Sequence, residues 1–502
     1  MNDVRTTVQS TDAYRTFVRI VTAVRATVRR HPSAALAIGG FIAASLTVVA
    51  GGRVGTVKSV IPLTNWLGLM PKSPHQVGDY IPSVVMLFGI AVLVALWLVA
   101  IRTHHAGATG ERHVWAIGAA WATPFAIGPP LLSNDVFTYA AQGLLMRNGL
   151  NPYEVGPSAL GNVPAVAAVD PSWRSISSPY GPLASTIQHL AVAISGGDPL
   201  GATIVFRALG VVCLVAIGLL AAELAGSSRR MRALTMTVLN PLVLIHVVSG
   251  AHLDGVMCAL LLGAVVAANR RHWAVAIVLA AAAGSVKAPA YLAVLAIIAV
   301  HQGGRGRVEW RRLARDASIG AASVVGFSLT VTDGWGWTRG LDAPALGHTS
   351  LAPATLVADM FRPIVRGASF DDLTTAGRIT ALLAATCIVA YLIATIEHRS
   401  LDATVGFGML AVGVLSPVVY PWYLLGGVLC LIPTARGARR DWLIWVSAVG
   451  CLLNPLGFSS AITTALSTAA VAVCLAVIAP RVLRRRRAAK FSRGVDSLSA
   501  VG

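Results

Sequence analysis

The sequence predicts an all-α integral membrane protein: a polytopic bundle of 12 to 14 transmembrane helices with a large outer loop carrying short helices. Three observations carry that prediction. Of 502 residues, 55% are hydrophobic and 12% charged, with mean hydropathy +0.70, whereas soluble domains carry about 25% charged residues. Apolar runs close to the ~20 residues that cross a bilayer recur along the chain. Arginines gather at the ends of those runs rather than within them.

The runs lie near 34–52, 80–101, 114–132, 200–225, 232–250, 253–269, 272–300, 316–332, 376–396, 402–419, 422–435, 441–457 and 461–480. The first follows basic residues and lacks a small-residue cleavage site, so it reads as an uncleaved anchor. Run 272–300 is broken by Gly284 and Pro289 and is expected to form two short helices. Residues 34–480 then make one membrane domain, flanked by basic cytoplasmic tails at 1–33 and 481–502.

Net charge of +19 raises nucleic acid as a partner, but the distribution argues against it. Arg25, Arg29 and Arg30, then Arg229, Arg230 and Arg232, then Arg270 and Arg271, then Arg311, Arg312 and Arg315, then Arg436, Arg439 and Arg440 all flank apolar runs. With the N-terminus inside and 272–300 passing twice, each cluster falls on the cytoplasmic side, as the positive-inside rule and anionic lipid heads favour. Arg53, Lys58 and Lys72 fall outside and follow no rule. The six cysteines all sit in apolar runs without metal-ligand spacing, as small buried hydrophobes do.

Polar chemistry collects in the outer loops 133–199 and 333–375 and in shorter outer turns. In "SNDVFTYAAQG", Ser133 or Asn134 can cap a helix whose first turn contains Asp135. Asp135 is then a capping acid. It also shares a helix face with Tyr139 and Gln142, at i+4 and i+7, and a carboxylate, a phenol and an amide on one stripe can hold and orient a sugar hydroxyl. "NPYEVGP" and "SSPYGPL" are stiffened by Pro152, Pro157, Pro179 and Pro182, and carry Tyr153 and Tyr180 as flat surfaces for sugar or lipid. "GAHLDGVM" sets His252 and Asp254 at a helix start, either as a cap or as a functional pair. Lys287, in "GSVKAPA", is an intramembrane cation that either snorkels to the interface or meets a lipid phosphate. His348 and the set Tyr420, Trp422 and Tyr423 also face outward, where an aromatic belt explains the set as well.

Together "SNDVFTYAAQGLLMRNGLNPYEVGP", "SPYGPL", "NPLVLIHVVSGAHLDGVM" and "SVKAPA" resemble actinobacterial polyprenol-phosphate-mannose-dependent α-1,6-mannopyranosyltransferases. Those are multi-span GT-C enzymes that extend the mannan of lipomannan and lipoarabinomannan. The resemblance covers roughly 34–480, in four motifs in the same order, although the family usually shows Asn where this sequence has Leu253. It implies a plasma-membrane enzyme with its site facing the periplasm. The donor is polyprenyl-phosphate-mannose, and a mannan on a phosphatidylinositol-mannoside-type lipid is the acceptor. Asp135 is implied as catalytic base, with Asn134, Tyr139, Gln142, Tyr153, Tyr180, His252, Asp254 and His348 around the substrates. Lys287, or Arg174 as a rival, faces the leaving phosphate. A single-phosphate donor needs no metal clamp, so no cofactor and no metal are expected. A flippase of lipid-linked sugars and a GT-C arabinofuranosyltransferase are the alternatives.

Overall fold

Inside lipid a backbone must satisfy its own N–H and C=O groups, so long apolar runs fold as helices. The structure, a computed structural model, describes residues 31–54, 66, 81–105, 110–303, 308–340, 352–361, 364, 365, 367 and 369–452. Run 461–480, nearly all of the two tails, Lys58, Lys72 and His348 lie outside the described residues. Among those described, every regular element is helical.

The first three helices, α1 (Pro32–Gly51), α2 (Ile81–His105) and α3 (Glu111–Ile127), pack together. Trp121 of α3 donates its indole N–H to the Leu36 carbonyl of α1, at 2.8 Å. Loop 133–199 follows, with α4 (Asp135–Arg147) and α5 (Pro182–Ile194) paired inside it. Next come α6 (Pro199–Ala225) and α7 (Arg230–Val238), the latter continued after a bend of 43° by Pro241–Ser249. The bend falls at Asn240–Pro241, where proline cannot donate to the helix ladder. Its last stretch, Leu244–Ser249, is π-helical, a form that is rare and concentrated at functional sites.

The hairpin α8 (Asp254–Asn269) and α9 (Trp273–Val286) follows, then α10 (Leu292–His301) and α11 (Trp310–Ser328). The expected break in run 272–300 falls at Lys287, whose backbone is extended (φ −148°, ψ 119°), and a 3-10 turn Ala288–Tyr291 leads into α10. The second half holds α12 (Pro353–Phe361), α13 (Phe370–Ala394), α14 (Leu401–Val414), α15 (Leu425–Leu431) and α16 (Gly437–Leu452).

Four helices among the described residues are long and apolar enough to cross a membrane, five if the bent pair is one span. Of six shorter apolar helices, five lie in the predicted runs 253–269, 272–300, 402–419 and 422–435, whereas α5 lies in the outer loop 133–199, where no span was expected. The protein is thus all-α and membrane-embedded, and breaks in the predicted spans supply irregular backbone where polar side chains collect.

Candidate active site

Two tight turns deliver the central pair. Leu132 (φ 61°) precedes Ser133–Asn134–Asp135, and Ala251 (φ 51°) precedes His252. Non-glycine residues in this left-handed region are strained, at a cost of about 1–2 kcal/mol each, and such strain concentrates at functional sites. Asn134 makes no side-chain capping bond to α4; Ser133 Oγ accepts from the Asp135 N–H instead, at 3.1 Å. The turns place His252 Nδ1 3.4 Å from Asp135 Oδ2, with the His252 side chain fully buried and that of Asp135 26% exposed.

Arg207, 3% exposed in α6, ties the two turns to each other. It donates to the carbonyls of Ala126 and Gly128, at 2.9 and 2.5 Å, where α3 ends and the Asp135 segment begins. Through Nε it donates to Ser249 O at 3.0 Å, at the end of the π-helical stretch leading to His252. No pattern in the sequence marks Arg207, because its partners are backbone carbonyls of distant segments.

Tyr180 arrives from the other side of the loop. Its phenol oxygen lies 3.5 Å from Asp135 Oδ2 and 3.4 Å from that of Tyr139, and the Tyr139 and Tyr180 rings meet edge-on at 5.2 Å. Gly181 sets this placement. Its N–H donates to Val286 O at 3.2 Å, and a Cβ on it would stand 2.3 Å from Ser285 O, so only glycine lets the loop lie against the break before Lys287.

Lys287 Nζ donates to Asp254 Oδ1 at 2.8 Å and sits 4.0 Å from the Tyr423 ring centre, a cation–π approach. Asp254 is 2% exposed, so its charge is stabilised by this pair. The His252 ring stacks on Trp422 at 4.1 Å, and Trp422 on Tyr420 at 4.6 Å. Trp422 is 4% exposed, so it walls the site rather than belting the membrane surface.

The electrostatics favour an ionised Asp135. Burial pushes its carboxyl up, but His252, the Ser133 hydroxyl and the Lys287 charge pull it down, and the net direction is down. Burial and the Asp135 charge hold the Tyr139 phenol well above its ordinary value; burial leads for Tyr180 too. Both therefore stay hydroxyl groups. Around them, both ring nitrogens of His246, Nε2 of His252, Ser249 Oγ and Asp254 Oδ2 are buried without a hydrogen-bond partner in the protein. Unpartnered buried polar atoms are rare and costly, and a polyhydroxylated ligand supplies both donors and acceptors.

The structure thus brings together Asp135, Tyr139, Tyr180 and His252, with Asp254 paired to Lys287 beside them. Other predicted residues stand apart. Gln142, two turns along α4 from Asp135, accepts from the Ser178 hydroxyl at 3.2 Å. Tyr153 bonds the Ser185 hydroxyl at 2.9 Å and packs against Gly336. Arg174 donates to the carbonyls of Val169 and Ala167, at 3.0 and 2.9 Å. Among the described residues no three His, Cys, Asp or Glu side chains converge as metal ligands do.

Residues 37–303 match the family described as Alpha-(1->6)-mannopyranosyltransferase, N-terminal domain, and residues 349–485 match the MptB C-terminal domain. Alpha-(1->6)-mannopyranosyltransferase A of Mycobacterium tuberculosis is 29% identical over 425 residues, 80% of each chain. The protein of the same name from Corynebacterium glutamicum is 24% identical, over 72% of this chain and 78% of its own. Alpha-(1->6)-mannopyranosyltransferase B of that organism is 26% identical, over 71% and 66%. No solved structure matches.

Proposed function

The chain belongs to the alpha-(1->6)-mannopyranosyltransferase family, and on that premise we propose that this membrane glycosyltransferase takes mannose from polyprenyl-phosphate-β-mannose and transfers it, with inversion, to the 6-hydroxyl of an α-1,6-mannan lipid acceptor at the periplasmic face of the plasma membrane. Asp135 accepts the proton of the acceptor hydroxyl as that oxygen bonds to the anomeric carbon. The bond from that carbon to the phosphate oxygen breaks, and the electron pair leaves with polyprenyl phosphate. Lys287 has ammonium protons to spare beyond Asp254 and stabilises the charge developing on the phosphate. Tyr139, Tyr180, His252 and Asp254 orient the sugars, and no metal takes part.

The observation that carries this reading is the Asp135 carboxyl with the Tyr180 phenol and the His252 ring beside it, amid unpartnered buried polar atoms, and its neighbours favour the ionised form. A base must be ionised, and a sugar satisfies such atoms. The pairing of Lys287 with Asp254 also gives the intramembrane cation a partner within the protein. Purified protein supplied with radiolabelled polyprenyl-phosphate-mannose and a mannan lipid acceptor, with EDTA present, should yield α-1,6-linked product. Transfer from polyprenyl-phosphate-arabinofuranose instead, or from neither donor, would sink the proposal.

A further inference from the structure

At the end of the bundle away from Asp135, the chain turns between α8 and α9 and between α10 and α11. Asp254 opens α8 and Lys287 follows α9, so the hairpin between them reaches its far end at Asn269–Trp273. With 1.5 Å of rise per residue, the 14 residues of α9 separate the two ends by about 20 Å. A cavity of about 460 Å³ opens there, with Arg271, Arg312, His301 and Trp273 in its wall. That volume lies in the usual small-ligand range of roughly 300–1,000 Å³.

Some cations at this end have carboxylate partners. Arg230 pairs with Glu111 at 2.5 Å and Arg270 with Glu223 at 2.7 Å. Arg271 differs: it sits in the left-handed region (φ 61°), and no carboxylate among the described residues pairs with it. Arg312 donates to His301 O at 2.9 Å and pairs with Glu309 at 2.6 Å. His301 Nδ1 meets Asp316 Oδ2 at 2.5 Å, which leaves its Nε2 as the second ring nitrogen. Asp316 is fully buried and also takes the Arg315 guanidinium, at 2.9 and 3.1 Å, so its charge is spent behind the wall. Trp273 stacks on His301 at 4.3 Å and holds the ring in place. Val300 and Leu401 complete an apolar side.

We infer that this cavity binds a phosphate group, with Arg271, Arg312 and His301 Nε2 as its donors. Guanidinium groups match phosphate geometry, and basic pockets between membrane helices suit acidic lipid heads. The same chemistry would take a soluble phosphate. The site is distinct from the Asp135 centre and does not depend on the reading of that centre.

Native mass spectrometry of the full chain in detergent, offered equal phosphatidylglycerol and phosphatidylcholine, tests the inference. Wild-type protein should retain phosphatidylglycerol preferentially. The Arg271→Gln/Arg312→Gln variant should lose that preference by about tenfold or more, the scale of losing charge-assisted hydrogen bonds. Arg270→Gln, which removes a neighbouring charge paired elsewhere, should retain it, and both variants should keep mannosyl transfer. Displacement of the lipid by millimolar inorganic phosphate assigns the site to soluble phosphate, and resistance to it assigns the site to the lipid head. Wild-type protein that binds neither inorganic phosphate nor phosphatidylglycerol above phosphatidylcholine overturns the inference, as does a double variant that binds as wild type does. The wild-type comparison needs no variant to fold.

Discussion

His252 Nδ1 stands 3.4 Å from Asp135 Oδ2, and the two residues come from turns that Arg207 holds at a fixed separation through backbone carbonyls. This relationship has a consequence for pH. Burial raises the Asp135 carboxyl, and His252 leads the groups that lower it below the ordinary value. The reactive form is the carboxylate, so activity is present above its pKa and lost as pH falls through it. Removing His252 weakens the lowering, so His252→Gln should move the acid limb of the kcat/KM profile to higher pH. An unmoved limb would show that His252 does not tune the carboxylate.

The Lys287–Asp254 pair lies almost out of solvent. Lys287→Met strands a buried carboxylate, which costs about 3–5 kcal/mol, and should lower thermal stability in detergent. Adding Asp254→Asn removes the stranded charge and should restore much of the stability while transfer stays about 100-fold down or lower, the scale of losing a group that stabilises transition-state charge. Recovery of both together would remove Lys287 from the phosphate role.

Arg207 makes three hydrogen bonds in a fork that lysine cannot reproduce. Arg207→Lys should therefore loosen the two turns and lower kcat by about 10-fold or more, since small misplacement of reacting groups costs roughly that much. KM should change less. Steady-state kinetics on folded protein separates this from plain destabilisation, which would lower the active fraction and leave the pH profile untouched.

Gly181→Ala places a methyl group against Ser285 O, so the loop carrying Tyr180 must retreat. Transfer should fall by about tenfold, an effect of displacement rather than lost contact. Gly326→Ala is the control: its Cβ meets nothing within 4 Å, and in a helix the change should be neutral or stabilising by up to ~1 kcal/mol. Equal losses at the two positions would contradict the close-approach argument.

What the sequence made legible follows from what is local. Among the described residues, apolar runs marked helix positions to within about six residues, and Pro289 marked the broken segment. Asp135 was legible because Tyr139 lies one turn away on its own helix. Helix spacing also grouped Gln142 with them, but two turns of α4 carry it away, to Ser178. Long-range relationships leave no periodic trace. Trp422 beneath His252, the Arg207 tie and the seating of Gly181 against Ser285 join segments far apart in the chain, and only packing brings them together. Lys287 was legible as a cation in need of a partner; that the partner is Asp254 was not.

The central claim is that Asp135 is the base. Asp135→Asn keeps the size of the side chain and its place at the start of α4 but removes the proton acceptor. Membranes containing the variant at wild-type abundance, given radiolabelled polyprenyl-phosphate-mannose and acceptor, should show transfer reduced by about 100-fold or more, within the range for loss of a general base. Near-normal transfer by correctly folded Asp135→Asn would contradict the account.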